Sequence, residues 1–265
     1  LNKTDWEPFA QEKGYTLEDL STVEGVVRVA EAYYQWTDDK TEAPEDGKAF
    51  FGRDAMANYI IIGCKQLGVE IFHVENGQAT FQLDRDVLKK LWDNYYVPTV
   101  NGYFGAFGKF RSDDVKTGDL LAFVGSTSGA AYFPEEVMVG DADSYPIEAL
   151  AAPAPMFEGG EAYAVQQGAG MVVTKSDEKT EYAATVFLKW FTESQRNTAF
   201  SLSSGYLPVK GEASTLGNIE AAMQEADITG NLRLSLPVAV ETTEHNAMYT
   251  NKAFQGGTDE IGRAS

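Results

Sequence analysis

The chain has 265 residues, of which 43% are hydrophobic, so it can bury a substantial core as one large domain or two smaller ones, and disorder is excluded. Its net charge of -19, uninterrupted by any cluster of Lys and Arg, repels phosphodiester backbones and anionic lipid surfaces and argues against a nucleic-acid partner.

The opening Leu1-Asn2-Lys3-Thr4 has no initiator Met and no charged, apolar, small-residue signal pattern, and reads as a mature or excised segment. From Leu17 the apolar positions Leu20, Val23, Val27, Ala30 and Tyr34 recur every three or four residues with acids between them, which predicts an amphipathic helix. After the polar stretch 37–47, residues 54–67 predict a second helix, apolar almost all round and therefore buried, stopped by Gly68. Cys64 lies inside it as the sole cysteine, a small core hydrophobe that leaves no disulfide scaffold or cysteine-built zinc site. A third helix is predicted over 84–95, capped by Asp84, with Val87, Leu88, Leu91, Trp92 and Tyr95 on one face.

The pattern then changes. Leu120-Leu121-Ala122-Phe123-Val124 is a short apolar run closed by Gly125-Ser126-Thr127-Ser128-Gly129, a buried strand entering a tight loop. Two further strands are predicted, 147–152 before Pro153-Ala154-Pro155 and 170–174, the latter leading into a helix over 178–191 capped by Asp177 or Ser176. Helical periodicity resumes over 196–202 and 212–226, broken by Ser204-Gly205-Tyr206-Leu207-Pro208, and the Gly-rich 255–258 reads as a loop or frayed end. The sum is an α/β fold with long helices and few strands. No stretch approaches the roughly 18 to 20 apolar residues that span a bilayer.

Catalytic chemistry is hard to assemble. His73 and His245 are the only imidazoles, and neither sits in a recognisable elbow; the nucleophile-elbow pattern would need Ser where Thr127 stands. Asp38-Asp39, Asp113-Asp114 and Asp141-Asp143 lack the spacing of a calcium loop and read as solvated loops, while Gly102 to Gly108 reads as an aromatic loop and not a dinucleotide turn. Neither metal nor cofactor is implied. The rival classes kept open are a carbohydrate hydrolase using paired carboxylates and a surface interaction module.

Met171 to Ser176, then Ala183 to Thr192 with its Phe187-Leu188-Lys189-Trp190-Phe191 phrase, then Ser204-Gly205-Tyr206-Leu207-Pro208-Val209 resemble, in that order, the family 1 extracellular solute-binding proteins of ABC importers. Asn2-Lys3 resembles the opening of their second lobe, 17–34 its first long helix, and 120–129 the strand and loop that end beside the ligand. The resemblance implies a periplasmic-binding-protein-like, two-lobed α/β fold (type II) whose first lobe is incomplete here. Residues 1–163 would be mostly second lobe, 164–230 a returning segment of the first, and 231–265 a crossover back. It also implies a non-enzymatic monomer, in the periplasm or lipid-anchored at the outer face of the cell membrane, that delivers a small solute to a membrane permease.

Within the family the likeness is to binders of glycerol 3-phosphate and glycerophosphodiesters. It implies ligand contacts from the hydroxyl loop Ser126, Thr127 and Ser128, from Gly168 in Gln167-Gly168-Ala169-Gly170, from Tyr206, and from Arg233 as cationic partner. Hydroxyls, a phenol and a guanidinium suit a phosphate or a vicinal diol, hence a sugar or polyol-phosphate ligand. Each also has a plain structural reading: a tight turn for 126–129, hinge packing for Tyr206, a surface position for Arg233. Where many relatives place a Trp, this chain has Phe51-Gly52-Arg53-Asp54. Arg53 and Asp54 could grip hydroxyls, or Asp54 could cap the helix that follows, and Phe104, Phe107 and Tyr132 could restore stacking.

Overall fold

The computed structural model describes residues 1–140, 143–226, 228 and 230–250. Asp141 and the Gly-rich 255–258 lie outside the described residues. The chain opens with α1 (Lys3–Lys13), which periodicity does not announce: Asn2 caps it by accepting the Asp5 N–H, and Gly14 closes it in the left-handed region. The predicted helix from Leu17 is divided. Leu17–Leu20 is a single 3-10 turn, and α2 (Val23–Asp38) restarts because the Thr22 hydroxyl accepts the Gly25 N–H and fixes a new N-terminus.

β1 (Ala49–Arg53) leads into α3 (Met56–Gln66), followed by the hairpin β2 (Phe72–Glu75) and β3 (Gln78–Phe81), turned by Asn76 and Gly77, both with positive φ. α4 (Arg85–Asp93) starts at Asp84, whose carboxylate accepts the N–H groups of Asp86 and Val87 as predicted. Of its expected buried face Leu91 is buried, but Trp92 points outward and stacks on Tyr96 at 3.9 Å. α5 (Tyr96–Val100) and α6 (Arg111–Lys116) precede β4 (Leu120–Val124), which pairs in parallel with β1. β5 (Glu136–Val139) and β6 (Asp143–Pro146) form a hairpin. The strand predicted over 147–152 is absent; Ile147 is buried and Ala149 bridges Asn2, with no ladder beyond.

β7 (Tyr163–Val165) is followed by a stretch without regular secondary structure and then α7 (Glu178–Phe191), capped by Asp177. The strand predicted over 170–174 does not form, because no segment among the described residues supplies the other half of a ladder; Met171 and Val172 stand exposed. α8 (Ser194–Ser204) ends at left-handed Gly205. The helix predicted from 212 divides into a 3-10 turn and α9 (Leu216–Glu225), capped by Thr215. α10 (Asn231–His245) leads to β8 (Ala247–Tyr249), which pairs in parallel with β7.

The core is compartmented. Trp6, Phe9, Val29, Tyr33 and Phe50 bind α1 and α2 to β1; Tyr59, Ile61, Cys64, Leu91 and Phe157 bind α3 to α4, joined there by Tyr249; Val115, Leu120 and Val137 seal the other side of β4. Leu202, Ile219, Met223, Leu236 and Val240 form a separate helical core among α8, α9 and α10. No residue of α7 is buried.

Candidate functional site

Parallel strands deliver their carboxyl ends to one rim of a sheet, and loops leaving that rim meet there. β1 and β4 are in register from Ala49–Leu120 to Arg53–Val124, and the Asp54 N–H continues the ladder to the Val124 carbonyl at 3.0 Å. Arg53-Asp54 and Gly125-Ser126 therefore leave the rim side by side: a Cβ on Gly125 would lie 3.5 Å from Asp54 Oδ2.

Arg53 is partly buried, its guanidinium carbon 5.0 Å from the ring centre of Tyr59 and 5.9 Å from that of Phe51. Burial lowers its pKa while Tyr59 and Tyr95 oppose the shift; a guanidinium stays charged at neutral pH regardless. Burial likewise raises the Tyr59 and Tyr95 phenols, which face Arg53 uncharged at neutral pH. Among the described residues no carboxylate pairs with Arg53.

Asp54 behaves differently. It does not cap α3, whose N-cap position is Ala55 in the left-handed region without a side-chain cap. Its Oδ1 instead accepts the N–H of Arg111, the first residue of α6, at 3.2 Å and lies 3.7 Å from Arg111 Nε. Arg111 forms an ion pair with Asp114 at 2.8 Å, the two residues being 4% and 2% exposed. Asp113-Asp114 is thus not a solvated pair: Asp114 is a core group, accepting the N–H groups of Phe107 and Gly108.

The hydroxyl loop is a tight turn. The Ser126 hydroxyl accepts the Gly129 N–H at 3.1 Å and lies 3.1 Å from the Ser128 hydroxyl, and 128–132 follow as a 3-10 turn. Thr127 is exposed, and among the described residues its hydroxyl makes no hydrogen bond. The turn before Tyr206 is pressed onto this loop. Gly205, at φ +73°, would place a Cβ 2.7 Å from Ser128 Cα and 3.1 Å from the Thr127 carbonyl, which only glycine allows. Tyr206 itself is 42% exposed.

Arg53, Asp54, Ser126, Thr127, Ser128 and Tyr206 are accordingly brought to one region by two strand ends and one close approach. Gly168 sits in exposed chain where a Cβ would meet nothing within 4 Å, although Gln167 reaches Asn58 in α3 at 3.0 Å. Arg233 is on the exposed side of α10. That helix is fastened near the 3-10 turn by Asn231, which donates to the Phe133 carbonyl at 2.8 Å, but among the described residues the Arg233 guanidinium has no partner.

Residues 2–227 match the family described as bacterial extracellular solute-binding protein. The chain belongs to that family. This solute-binding protein also superposes on a cyclic α-maltosyl-1,6-maltose binding protein from Arthrobacter globiformis (TM-score 0.69, 17% identity, 99% of this chain and 63% of that one). A second match is UgpB from Mycobacterium tuberculosis, solved with glycerophosphocholine (TM-score 0.65, 18% identity, 99% of this chain and 59% of that one). At such identity these likenesses show the fold, the two-lobed periplasmic solute-binding type, and this solute-binding protein spans less than two thirds of the length of either. No curated protein sequence matches. Family and neighbours are binding proteins and not enzymes.

The residues that organise the site, Arg111, Asp114, Tyr59 and Tyr95, are not among those the sequence reading assigned to it. The available signal was Arg111 three residues before Asp114, a helical ion-pair spacing, directly after a glycine-rich loop.

Proposed function

We propose that this solute-binding protein is the capturing component of an ABC importer, taking up a carbohydrate or polyol phosphate outside the cytoplasmic membrane, in a periplasm or on a lipid anchor, and presenting it as a monomer to a membrane permease. The observation that carries the reading is Arg53: a partly buried guanidinium with no carboxylate partner among the described residues, at the carboxyl ends of a parallel strand pair and beside a hydroxyl loop. A cation so placed favours a ligand that supplies oxygen acceptors in pairs, a phosphate or a vicinal diol. Ser126, Thr127, Ser128 and Tyr206 are the neutral polar groups of the same site, with Gly168 and Arg233 as contacts from the returning segment. The two structural neighbours, one a maltosyl-maltose binder and one solved with glycerophosphocholine, span the same two solute chemistries.

The lobe division is part of this proposal. Residues 1–163, joined by Tyr249 of β8, build the three cores on and beside β1 and β4, whereas 202–240 build a separate one, and the β7–β8 pair carries the chain between them. The open aromatic face of α7, formed by Tyr182, Val186, Phe187 and Trp190, is the surface that first-lobe units would cover.

A thermal-shift screen of the full-length protein against glycerol 3-phosphate, glycerophosphocholine, maltose and simple sugars tests it. A solute at 100 times its Kd adds about 2.7 kcal/mol of stability. Arg53→Ala should abolish the shift, and a shift that survives in this variant would remove Arg53 from the site.

A further inference from the structure

Four aromatic rings close a circuit beside Arg53. Phe51 packs on Phe104 at 5.1 Å between ring centres, Phe104 on Tyr95 at 5.6 Å and Tyr95 on Tyr59 at 5.2 Å. The two ends of that chain, Phe51 and Tyr59, are the rings that meet the Arg53 guanidinium carbon, at 5.9 Å and 5.0 Å. The rings come from β1, from the loop after α5, from the turn between α4 and α5 and from α3, so separate segments converge on one side chain. Each is held in place. Phe51, Tyr59 and Phe104 are buried, Tyr95 packs against both the core of α1 and α2 and that of α3 and α4, and the Tyr59 hydroxyl donates to the Leu91 carbonyl in α4 at 2.8 Å.

Nothing in this packing calls for a cation: an apolar side chain of similar length would fill the space without the desolvation that a guanidinium incurs. The rings offset part of that cost, since the attraction between a cation and a ring face is largest where water is withdrawn. They differ from a carboxylate in one respect. A carboxylate would occupy the N–H donors, often two at once, whereas a ring face attracts the charge and leaves the donor fork unspent. Among the described residues the Arg53 guanidinium makes no hydrogen bond and no ion pair. A loose arginine would have to be ordered by each incoming solute, a loss of about fivefold in affinity that a side chain held in advance avoids.

We propose that Phe51, Tyr59, Tyr95 and Phe104 are positioning residues of the solute site, with Tyr59 the principal one: their rings hold the Arg53 guanidinium in one orientation and leave its N–H donors free for the solute. The inference rests on the solute-binding reading above, in which Arg53 receives the solute.

Isothermal titration of the full-length protein with glycerol 3-phosphate and with maltose, together with melting temperatures, tests it. Tyr59→Leu should weaken binding of whichever probe the wild type takes about fivefold. Tyr59→Phe keeps the ring and loses only the tie to Leu91, so it should lower the melting temperature while affinity returns to within about twofold of wild type. Ile61→Ala opens the same core without removing a ring from the circuit, and should likewise lower the melting temperature with affinity held within about twofold. Should Tyr59→Leu fail to fold, Phe51→Leu removes the ring at the other end of the circuit and carries the same expectation. Unaltered affinity in the Leu variant, or a loss no larger than that of Tyr59→Phe or Ile61→Ala, overturns the positioning role and leaves Arg53 as the solute contact. Binding that survives Arg53→Ala unchanged overturns the inference while the protein remains a solute binder. Wild-type protein that binds neither probe overturns both.

Discussion

Arg111 Nη1 stands 2.8 Å from Asp114 Oδ2 with both side chains almost wholly withdrawn from water, while the same guanidinium reaches back to Asp54. The pair sits between β4 and the aromatic loop, so neither charge has solvent to fall back on if the other is removed.

Removing Arg111 strands Asp114, and removing Asp114 leaves Arg111 only the longer contact to Asp54 at 3.7 Å. Arg111→Ala or Asp114→Ala should each cost about 3–5 kcal/mol in chemical denaturation. The double replacement Arg111→Met with Asp114→Leu should cost markedly less than either single change, because no uncompensated charge remains. Single-variant losses below about 1 kcal/mol would show that water reaches the pair.

Gly205 is where the helical core of α8, α9 and α10 meets the hydroxyl loop. Gly205→Ala must adopt a left-handed conformation, costing about 1–2 kcal/mol, and must also push its Cβ away from Ser128 Cα, 2.7 Å distant. The expected result is a loss of stability by urea denaturation larger than that of Gly211→Ala, a position whose Cβ would meet nothing within 4 Å. Equal losses at the two positions would mean that the turn and loop do not touch.

Helix starts with a capping side chain were legible: Asp84 and Asp177 hold the N–H groups their sequence positions implied, and Leu120 to Val124 is the buried strand its composition suggested. β1 was not legible, because Ala49-Phe50-Phe51-Gly52-Arg53 is short and has no alternation; its strand character comes from pairing with β4, 71 positions on. The strand expected over 170–174 fails for the complementary reason, an apolar run with no partner among the described residues. In the site, hydroxyls and guanidinia could be named from the sequence, but which of them share a rim could not. Arg111 and Asp114 look like surface charges until three backbone segments close around them.

Cys64 is a buried free thiol whose pKa burial pushes up to about 11, with the charge of Asp84 adding to the shift. Since the thiolate is the nucleophile, it should resist alkylation in the native state. Iodoacetamide at pH 8 is expected to modify the protein only at the rate at which it unfolds, and to label it fully in denaturant. Rapid labelling of native protein would place Cys64 outside the core.

Glu24 ties α2 to α4 and to the chain after Phe157. Burial alone would raise its pKa, but a contact from Lys90 Nζ at 2.8 Å and the Glu158 N–H at 2.9 Å outweigh it and hold the carboxyl below the usual glutamate range. Its folded pKa is therefore depressed relative to the unfolded chain, so the unfolded state takes up the proton first as the solution is acidified. The stability Glu24 contributes is fully present above the unfolded value near 4.3 and is lost as pH falls through the folded value. Glu24→Gln, which cannot ionise, lacks that component: the stability difference between wild type and variant should be constant from pH 7 to about pH 5 and should shrink below about pH 4.5. A difference that stays level down to pH 3 would show that the carboxylate is held by packing and not by its charge.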